Sequence, residues 1–256
     1  MLENLFRIDG KVAVVMGGAG GIGRTLAEAL SSYGANVVVS DIRLDAAEVA
    51  AKEIKAATGR ETLAVASNVT QEESVVQLVK TVIDKFGTVD ILVNAMGINI
   101  KHDAFDYPVE DWYKMFSVNV HGTMITCKQF GKIFKEKKDG KIINLSSVRG
   151  IRGYTGGNEG YCATKGSVEM ITKCLAIEWA PYNIHVNALG PALIITPGTI
   201  HIQKDPELAK KRAAQIPLNR LGQTEDLVGA CIFLASGASD FVTGQTLYVD
   251  GGTTAI

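Results

Sequence analysis

The chain has 256 residues, is 46% hydrophobic and 21% charged, and sets 26 Lys+Arg against 27 Asp+Glu for a formal net charge of -1. Disorder and fibrous repeats are excluded by that composition, and the neutral balance removes the basic footprint of a nucleic-acid binder. The one short basic stretch, Lys135 to Lys138, reads as the solvated end of a helix. The amino terminus carries Glu3, Arg7, Asp9 and Lys11 and so holds no apolar signal core, and no later segment offers about 20 unbroken apolar residues. A cytoplasmic protein with no membrane partner is expected. Cys127, Cys162, Cys174 and Cys231 form no C-x-x-C and no ligand pattern with the histidines, so no metal is expected and the thiols read as buried and reduced.

Short β-branched runs alternate with longer amphipathic stretches along the whole chain. The runs are VAVVM at 12–16, NVVVS at 36–40, TLAVAS at 62–67, VDILVN at 89–94, KIINLS at 141–146, IHVNAL at 184–189 and TLYVD at 246–250. Helical patterns begin near Gly21, Leu44, Gln71, Pro108, Gly160 and Thr224. Strands apolar on both faces need helices on both sides. The fold class predicted is therefore α/β, a single-domain Rossmann-type doubly wound sheet of seven parallel strands with helices on both faces. No linker or internal repeat divides residues 1–256. Residues 191–223 break the rhythm with Pro191, Pro197, Gly198, Pro206, Pro217 and Gly222 around the charged helical patch DPELAKKR. An insertion at the carboxyl end of a strand in this class of sheet lies over the ligand crevice, so the segment reads as a substrate lid.

The first strand runs into five glycines within 17–23 and then a helix. Without Cβ atoms the backbone N–H groups and the positive helix end can meet a diphosphate closely. The pattern fits G-x-G-x-x-G at Gly18, Gly20 and Gly23; it also nearly fits a P-loop, but Arg24 stands where that loop needs a lysine. Asp41 ends the second strand 18 residues past Gly23, where a carboxylate accepts both hydroxyls of an adenosine ribose and repels a 2′-phosphate. NAD is expected over NADP, although Arg43 lies close by.

Tyr161 and Lys165 stand four apart in GYCATKG and so share one helix face. An ammonium about 4 Å from the phenol, at an effective dielectric of 20, contributes roughly 4 kcal/mol, or about three pK units, and would bring Tyr161 near neutrality as a general acid/base. Fourteen residues upstream, LSS places Ser146 and Ser147 at the carboxyl edge of the fifth strand; one hydroxyl can hold a substrate oxygen, and Ser146 also suits a turn cap.

Taken together, MGGAGGIG at 16–23, NAMG at 94–97, Asn119 in SVNVHG, Ser147 in LSSVRG, Tyr161, Lys165, the stretch Asn187 to Thr196 and the closing VTGQTLYVDGG resemble the short-chain dehydrogenase/reductase family over the whole chain. The resemblance implies Tyr161 as proton donor and acceptor, Lys165 as the group that lowers its pKa and binds the nicotinamide ribose, and Ser147 as the group that orients substrate. It gives Asn119 a water that joins Lys165 to a proton relay. It shifts the diphosphate turn to Gly17, Gly21 and Gly23, and it adds Ile22, Asn68, Val69, Asn94, Gly97, Pro191, Ile194 and Thr196 to the coenzyme site. Departures are Met16 for the usual threonine, Ala95 and Met96 within NAMG, Asn68 for an adenine-contacting aspartate, Ala192 for a glycine, and a Ser147–Tyr161 interval one residue longer. The amide oxygen of Asn68 is still expected to accept from the adenine amino group.

The segment 97–112 looks like that of gluconate 5-dehydrogenase and other polyol or sugar-acid dehydrogenases. Lys101, His102, Arg149, Arg152, Tyr154, Asn158 and Glu159 are polar candidates for the crevice wall, with Arg149 and Tyr154 assigned to substrate beside Ser147 and Tyr161. The expected reaction is NAD(H)-dependent interconversion of a secondary alcohol and a ketone on a sugar, polyol or sugar acid. A 3-oxoacyl thioester reductase is the alternative enzyme, and a non-catalytic NAD-binding regulator the alternative of another class. The stretches around Asn119 to Phe134 and Gly160 to Trp179 carry more apolar positions than one buried face needs, and the resemblance implies a homotetramer.

Overall fold

The structure, a computed structural model, describes residues 4–256; Glu3, part of the charged amino terminus, lies outside the described residues. Seven strands form one sheet: β1 (Val12–Met16), β2 (Asn36–Asp41), β3 (Thr62–Ala66), β4 (Ile91–Asn94), β5 (Gly140–Leu145), β6 (Ile184–Pro191) and β7 (Thr246–Val249). Their spatial order is β3-β2-β1-β4-β5-β6-β7, with every pair parallel. The helices are α1 (Gly21–Ser32), α2 (Leu44–Thr58), α3 (Glu72–Phe86), α4 (Val109–Phe116), α5 (Gly122–Lys137), α6 (Glu159–Trp179), α7 (Ile200–Lys204), α8 (Pro206–Ala213) and α9 (Val228–Ala235).

Alternation along each strand divides the core into two layers. Ala13, Val15, Val37 and Val39 meet Leu26 and Leu30 of α1, Ala47 and Ile54 of α2, and Ile232 of α9. Val12, Val14, Met16 and Val38 meet Leu78 of α3, Phe130 and Phe134 of α5, and Leu175 of α6. Each large side chain fully buried contributes roughly 1.5–3 kcal/mol, so a slip of one residue, which would exchange the layers, is strongly opposed. Strand order reverses between β1 and β4, and the loops that diverge there open a crevice at the carboxyl edge.

Three features differ from the sequence reading. Residues Ser117–His121 join α4 to α5 as a π-helical turn, and nothing in SVNVH marks it. Helix α7 precedes α8 within residues 191–223, and the helix expected from Thr224 starts as a tight 3-10 turn, Thr224–Leu227, held by reciprocal Gln223 and Asp226 capping. Cys127 and Cys231 are buried, Cys162 is half-buried and Cys174 is exposed, all as free thiols. Cys174 departs from the buried expectation because α6 turns Thr172, Leu175 and Ala176 inward and leaves position 174 outside. Among the described residues no helix is long and apolar enough to cross a membrane.

Candidate active site

At the end of β1 the chain turns sharply under β4. The Ala95 N–H donates to the Met16 carbonyl and the Gly18 N–H to the Ser40 carbonyl, both at 3.0 Å, so backbone bonds hold the turn where Met16 offers no hydroxyl. Gly17 takes φ +71°, and a Cβ there would come within 2.9 Å of the Met96 backbone. A Cβ on Gly23 would overlap the Gly17 carbonyl oxygen, while Gly21, at φ +53°, faces Thr196 of the lid segment. Helix α1 starts with no side-chain cap and no acidic residue in its first turn. The N–H groups of Gly21, Ile22 and Gly23 have no acceptor within the helix, and its positive end faces the crevice, which fits a diphosphate.

Along the β2–β3 edge, the Asp41 carboxylate accepts the Arg43 N–H at 3.1 Å, with the exposed Arg43 Nε 3.8 Å away. The Asn68 amide oxygen accepts from the Thr70 N–H at 3.1 Å and the Thr70 hydroxyl at 2.8 Å, closing a local turn. That corrects the adenine expectation: the oxygen is already engaged, and the amide's N–H donors are the groups left for a base. Beside it, Ser67 Oγ is buried without a partner, and Val69 packs so closely on Gly122 that a Cβ there would lie 2.7 Å from Val69 Cγ2. The Asn94 side chain points into the core, donating to Asn144 Oδ1 at 2.9 Å and to Cys127 Sγ at 3.4 Å. Only its backbone reaches the crevice, because position 94 alternates onto the α5 face with Leu92.

The predicted catalytic groups come together where β4, β5 and α6 meet. Ser147, buried at the end of β5, neighbours the Tyr161 phenol; its hydroxyl lies 3.3 Å from the Pro191 carbonyl and 3.2 Å from the Arg149 N–H. One turn along α6, Lys165 Nζ sits 5.6 Å from the Tyr161 ring centre and donates to the Leu145 carbonyl at 2.6 Å. The Asn119 amide exchanges two 2.8 Å hydrogen bonds with the Ile98 backbone and donates to Thr164 Oγ1 at 3.1 Å. Gly97 lies over both: a Cβ there would be 3.4 Å from Asn119 Oδ1 and 3.5 Å from Lys165 Nζ.

Electrostatics differ from the sequence expectation. Burial pushes Tyr161 up to about 12, against smaller downward effects of the neighbouring Ser147 hydroxyl and the Arg149 charge. Burial likewise pushes Lys165 down to about 8. The Leu145 carbonyl holds the ammonium, and desolvation of the phenol outweighs the positive charge near it.

The loop after β5 meets helix α8 at Tyr154. The Arg149 guanidinium lies 3.3 Å over the Tyr154 ring, and Arg212 of α8 donates to the Tyr154 hydroxyl. Arg152 is drawn away to the Thr253 carbonyl, His102 pairs with Asp111 at 2.7 Å, and buried Asn158 braces the loop through Asn99 and the Thr155 and Gly156 carbonyls. Lys101 and Glu159 are exposed. Ser146 does not cap a turn: it donates to the buried Glu169 carboxylate at 2.9 Å, which also accepts from Tyr248 at 2.8 Å. Glu169 and Arg212 had no motif to mark them. Among the lid assignments, Ile194 is buried and pairs with Gly222, while Thr196 is half-buried and bonded to Thr199.

Comparison with known proteins places this architecture. A family model described as enoyl-(acyl carrier protein) reductase matches residues 17–254. An NAD-dependent glycerol dehydrogenase of Listeria innocua is 35% identical over 258 residues, covering 97% of this chain and 96% of its own. A 5-keto-D-gluconate 5-reductase of Escherichia coli is 33% identical and covers 98% of each. The crystal structure of a gluconate 5-dehydrogenase from Burkholderia cenocepacia in complex with NADP and tartrate superposes with a TM-score of 0.94, at 34% identity over 100% of both chains.

Proposed function

Because the chain belongs to the short-chain dehydrogenase/reductase family, we propose that it interconverts a secondary alcohol and a ketone of a sugar, polyol or sugar acid with NAD, using Tyr161, Ser147, Lys165 and Asn119. The observation that carries this reading is the meeting of Ser147, at the end of β5, with Tyr161 and Lys165 one helical turn apart on α6, Lys165 Nζ 5.6 Å from the phenol ring and under Gly97 at the carboxyl edge of the sheet. Tyr161 gives its proton to the ketone oxygen, or takes one from the alcohol, while Ser147 fixes that same oxygen. Lys165 supplies positive charge beside the phenol, and Asn119 holds the Gly97–Ile98 backbone over it. A bound nicotinamide dinucleotide supplies the hydride acceptor or donor. Its diphosphate would lie on Gly17, Gly21, Ile22 and Gly23, its adenosine along Asp41, Asn68 and Val69, and its nicotinamide half near Asn94, Gly97, Pro191, Ile194 and Thr196.

NAD over NADP rests on Asp41, whose carboxylate repels a 2′-phosphate. Arg43, 3.8 Å away, weakens that repulsion, and the similar Burkholderia enzyme was crystallised with NADP. Initial rates of NADH or NADPH change on a panel of sugar acids, polyols, sugars and 3-hydroxyacyl thioesters test both points. Polyhydroxylated substrates with NAD are the expected hits, and Asp41→Ala should raise the NADP:NAD ratio of kcat/KM by tenfold or more, roughly one charge contact. Activity confined to thioesters, or an unchanged ratio, would contradict the assignments.

We further assign residues 191–223 as the substrate lid and the whole chain as one domain. The enzyme is a cytoplasmic homotetramer in this reading, assembled through α5 and α6, where Met124, Met170 and Ile177 are exposed. Sedimentation at micromolar concentration should give four times the 27.3 kDa chain mass, and a monomer would rule the assembly out.

A further inference from the structure

Eight arginines show a division. Among the described residues Arg7, Arg24, Arg43, Arg60 and Arg220 each pair with a carboxylate, whereas Arg149, Arg152 and Arg212 have none within 4.0 Å. The three without a counter-ion surround the mouth of the crevice. Arg152 is spent on the Thr253 carbonyl, but Arg149 and Arg212 converge on Tyr154 from opposite parts of the chain, one beside Ser147 and the other on the lid helix α8. Their partners are an aromatic face and a neutral hydroxyl, so neither positive charge is neutralised. Both residues are half-buried, and burial holds Arg149 below the ordinary guanidinium range. Its backbone N–H lies 3.2 Å from Ser147 Oγ, so the residue stands next to the hydroxyl assigned to the reacting oxygen.

We infer that Arg149 and Arg212, spaced by Tyr154, form a carboxylate seat, so that the preferred substrate is a polyhydroxy acid with its carboxylate held at the lid while Ser147 and Tyr161 act on a hydroxyl further along. Two unpaired planar forks match a carboxylate, and an uncharged polyol leaves both without a partner. This rests on the dehydrogenase activity proposed above and adds a specificity that the motifs of the catalytic groups do not contain. Arg212 comes from the lid, so acid binding and lid position are one event.

The test compares kcat/KM for gluconate, for glucitol as its uncharged counterpart and for glucitol 6-phosphate, in the wild type and in Arg149→Gln, Arg149→Lys and Arg212→Gln. Gluconate should lead, and each glutamine variant should cut the gluconate:glucitol ratio by roughly ten- to hundredfold, mainly through KM, with Arg149→Lys retaining part of it. Arg212→Gln lies on a surface helix and serves if the Arg149 variants misfold. Equal use of gluconate and glucitol, a preference for the phosphate, or ratios unmoved by the variants would overturn the seat and leave the dehydrogenase standing. With no turnover of any of the three, calorimetry of gluconate on the NADH-loaded protein decides. Binding weakened in Arg149→Gln or Arg212→Gln upholds the seat while the assigned activity falls, and no binding overturns the seat as well.

Discussion

Tyr161 and Lys165 shift in opposite directions for one reason: each is buried, and burial disfavours whichever form carries charge. With Tyr161 up to about 12, the phenol keeps its proton at neutral pH and stands ready to donate to a ketone. Alcohol oxidation needs the phenolate, whose fraction rises tenfold per pH unit below the phenol's own value. Lys165, down to about 8, is still charged at pH 7 and loses its proton just above. Log kcat/KM for alcohol oxidation should therefore climb with slope near one from pH 6 to 8 and bend above, while ketone reduction stays nearly flat. Tyr161→Phe should abolish the slope and lower turnover by about 10²–10⁴ with coenzyme binding retained, and stopped-flow profiles in both directions check this. A flat oxidation profile would show that another group handles the proton. The residues of this chemistry were legible in GYCATKG and LSS, whereas their titration was not. Desolvation and the Leu145 contact are products of the closed fold, and no spacing along the chain encodes them.

At the scale of elements, α6 does more than present Tyr161 and Lys165. One turn beyond Lys165 it buries Glu169, whose carboxylate takes the hydroxyls of Ser146, just past β5, and Tyr248 from β7. The helix is thereby fastened to two strands next to Ser147. Glu169→Leu would strand the buried Ser146 hydroxyl and the half-buried Tyr248 hydroxyl, at up to about 1–3 kcal/mol each before relaxation. In a chain of this size that corresponds to roughly 2–4 °C per kcal/mol, so Tm should fall by about 4 °C or more in calorimetry. An unchanged Tm would mean that the pairing contributes nothing. Short β-branched runs alternating with amphipathic stretches predicted all seven strands and six helix starts, since those patterns follow from strands buried on both faces and helices buried on one. The π turn at Ser117–His121, the Glu169 cluster and the Asn68 turn depend on partners fixed only after packing, and their residues look ordinary in sequence.

Over the whole molecule the crevice has a rigid side and an adjustable one. The glycine turn and α1 are locked by backbone bonds and close packing, whereas the segment proposed as lid holds α7 and α8 beyond a narrow neck. There Ile194 bridges Gly222, the Ile195 N–H donates to the Gly222 carbonyl at 2.9 Å, and the Gly222 N–H donates to the Leu193 carbonyl at 3.0 Å. Arg220 and Asp226 brace the outer side, and that pairing holds the Asp226 carboxyl down at about 2. Helix α8 has no buried residue, so it can lift at little cost in buried apolar surface, while Ile202 of α7 and Ile216 stay anchored. Trypsin should cut first at Lys204, Lys210, Lys211 or Arg212, and coenzyme with substrate should slow that cut several-fold, as followed by mass spectrometry. First cleavage in another segment would show that the lid is not the softest part of the molecule.

The neck has an evolutionary consequence. Its two ends are joined to each other and to the sheet margin, so the 25 or so residues between them form a cassette whose length and composition can drift without disturbing strand register or the dinucleotide half. Substrate range can diversify by exchanging that cassette while the hydride machinery is inherited intact. A chain carrying two unneutralised arginines today stands a few substitutions from a descendant that takes an uncharged alcohol.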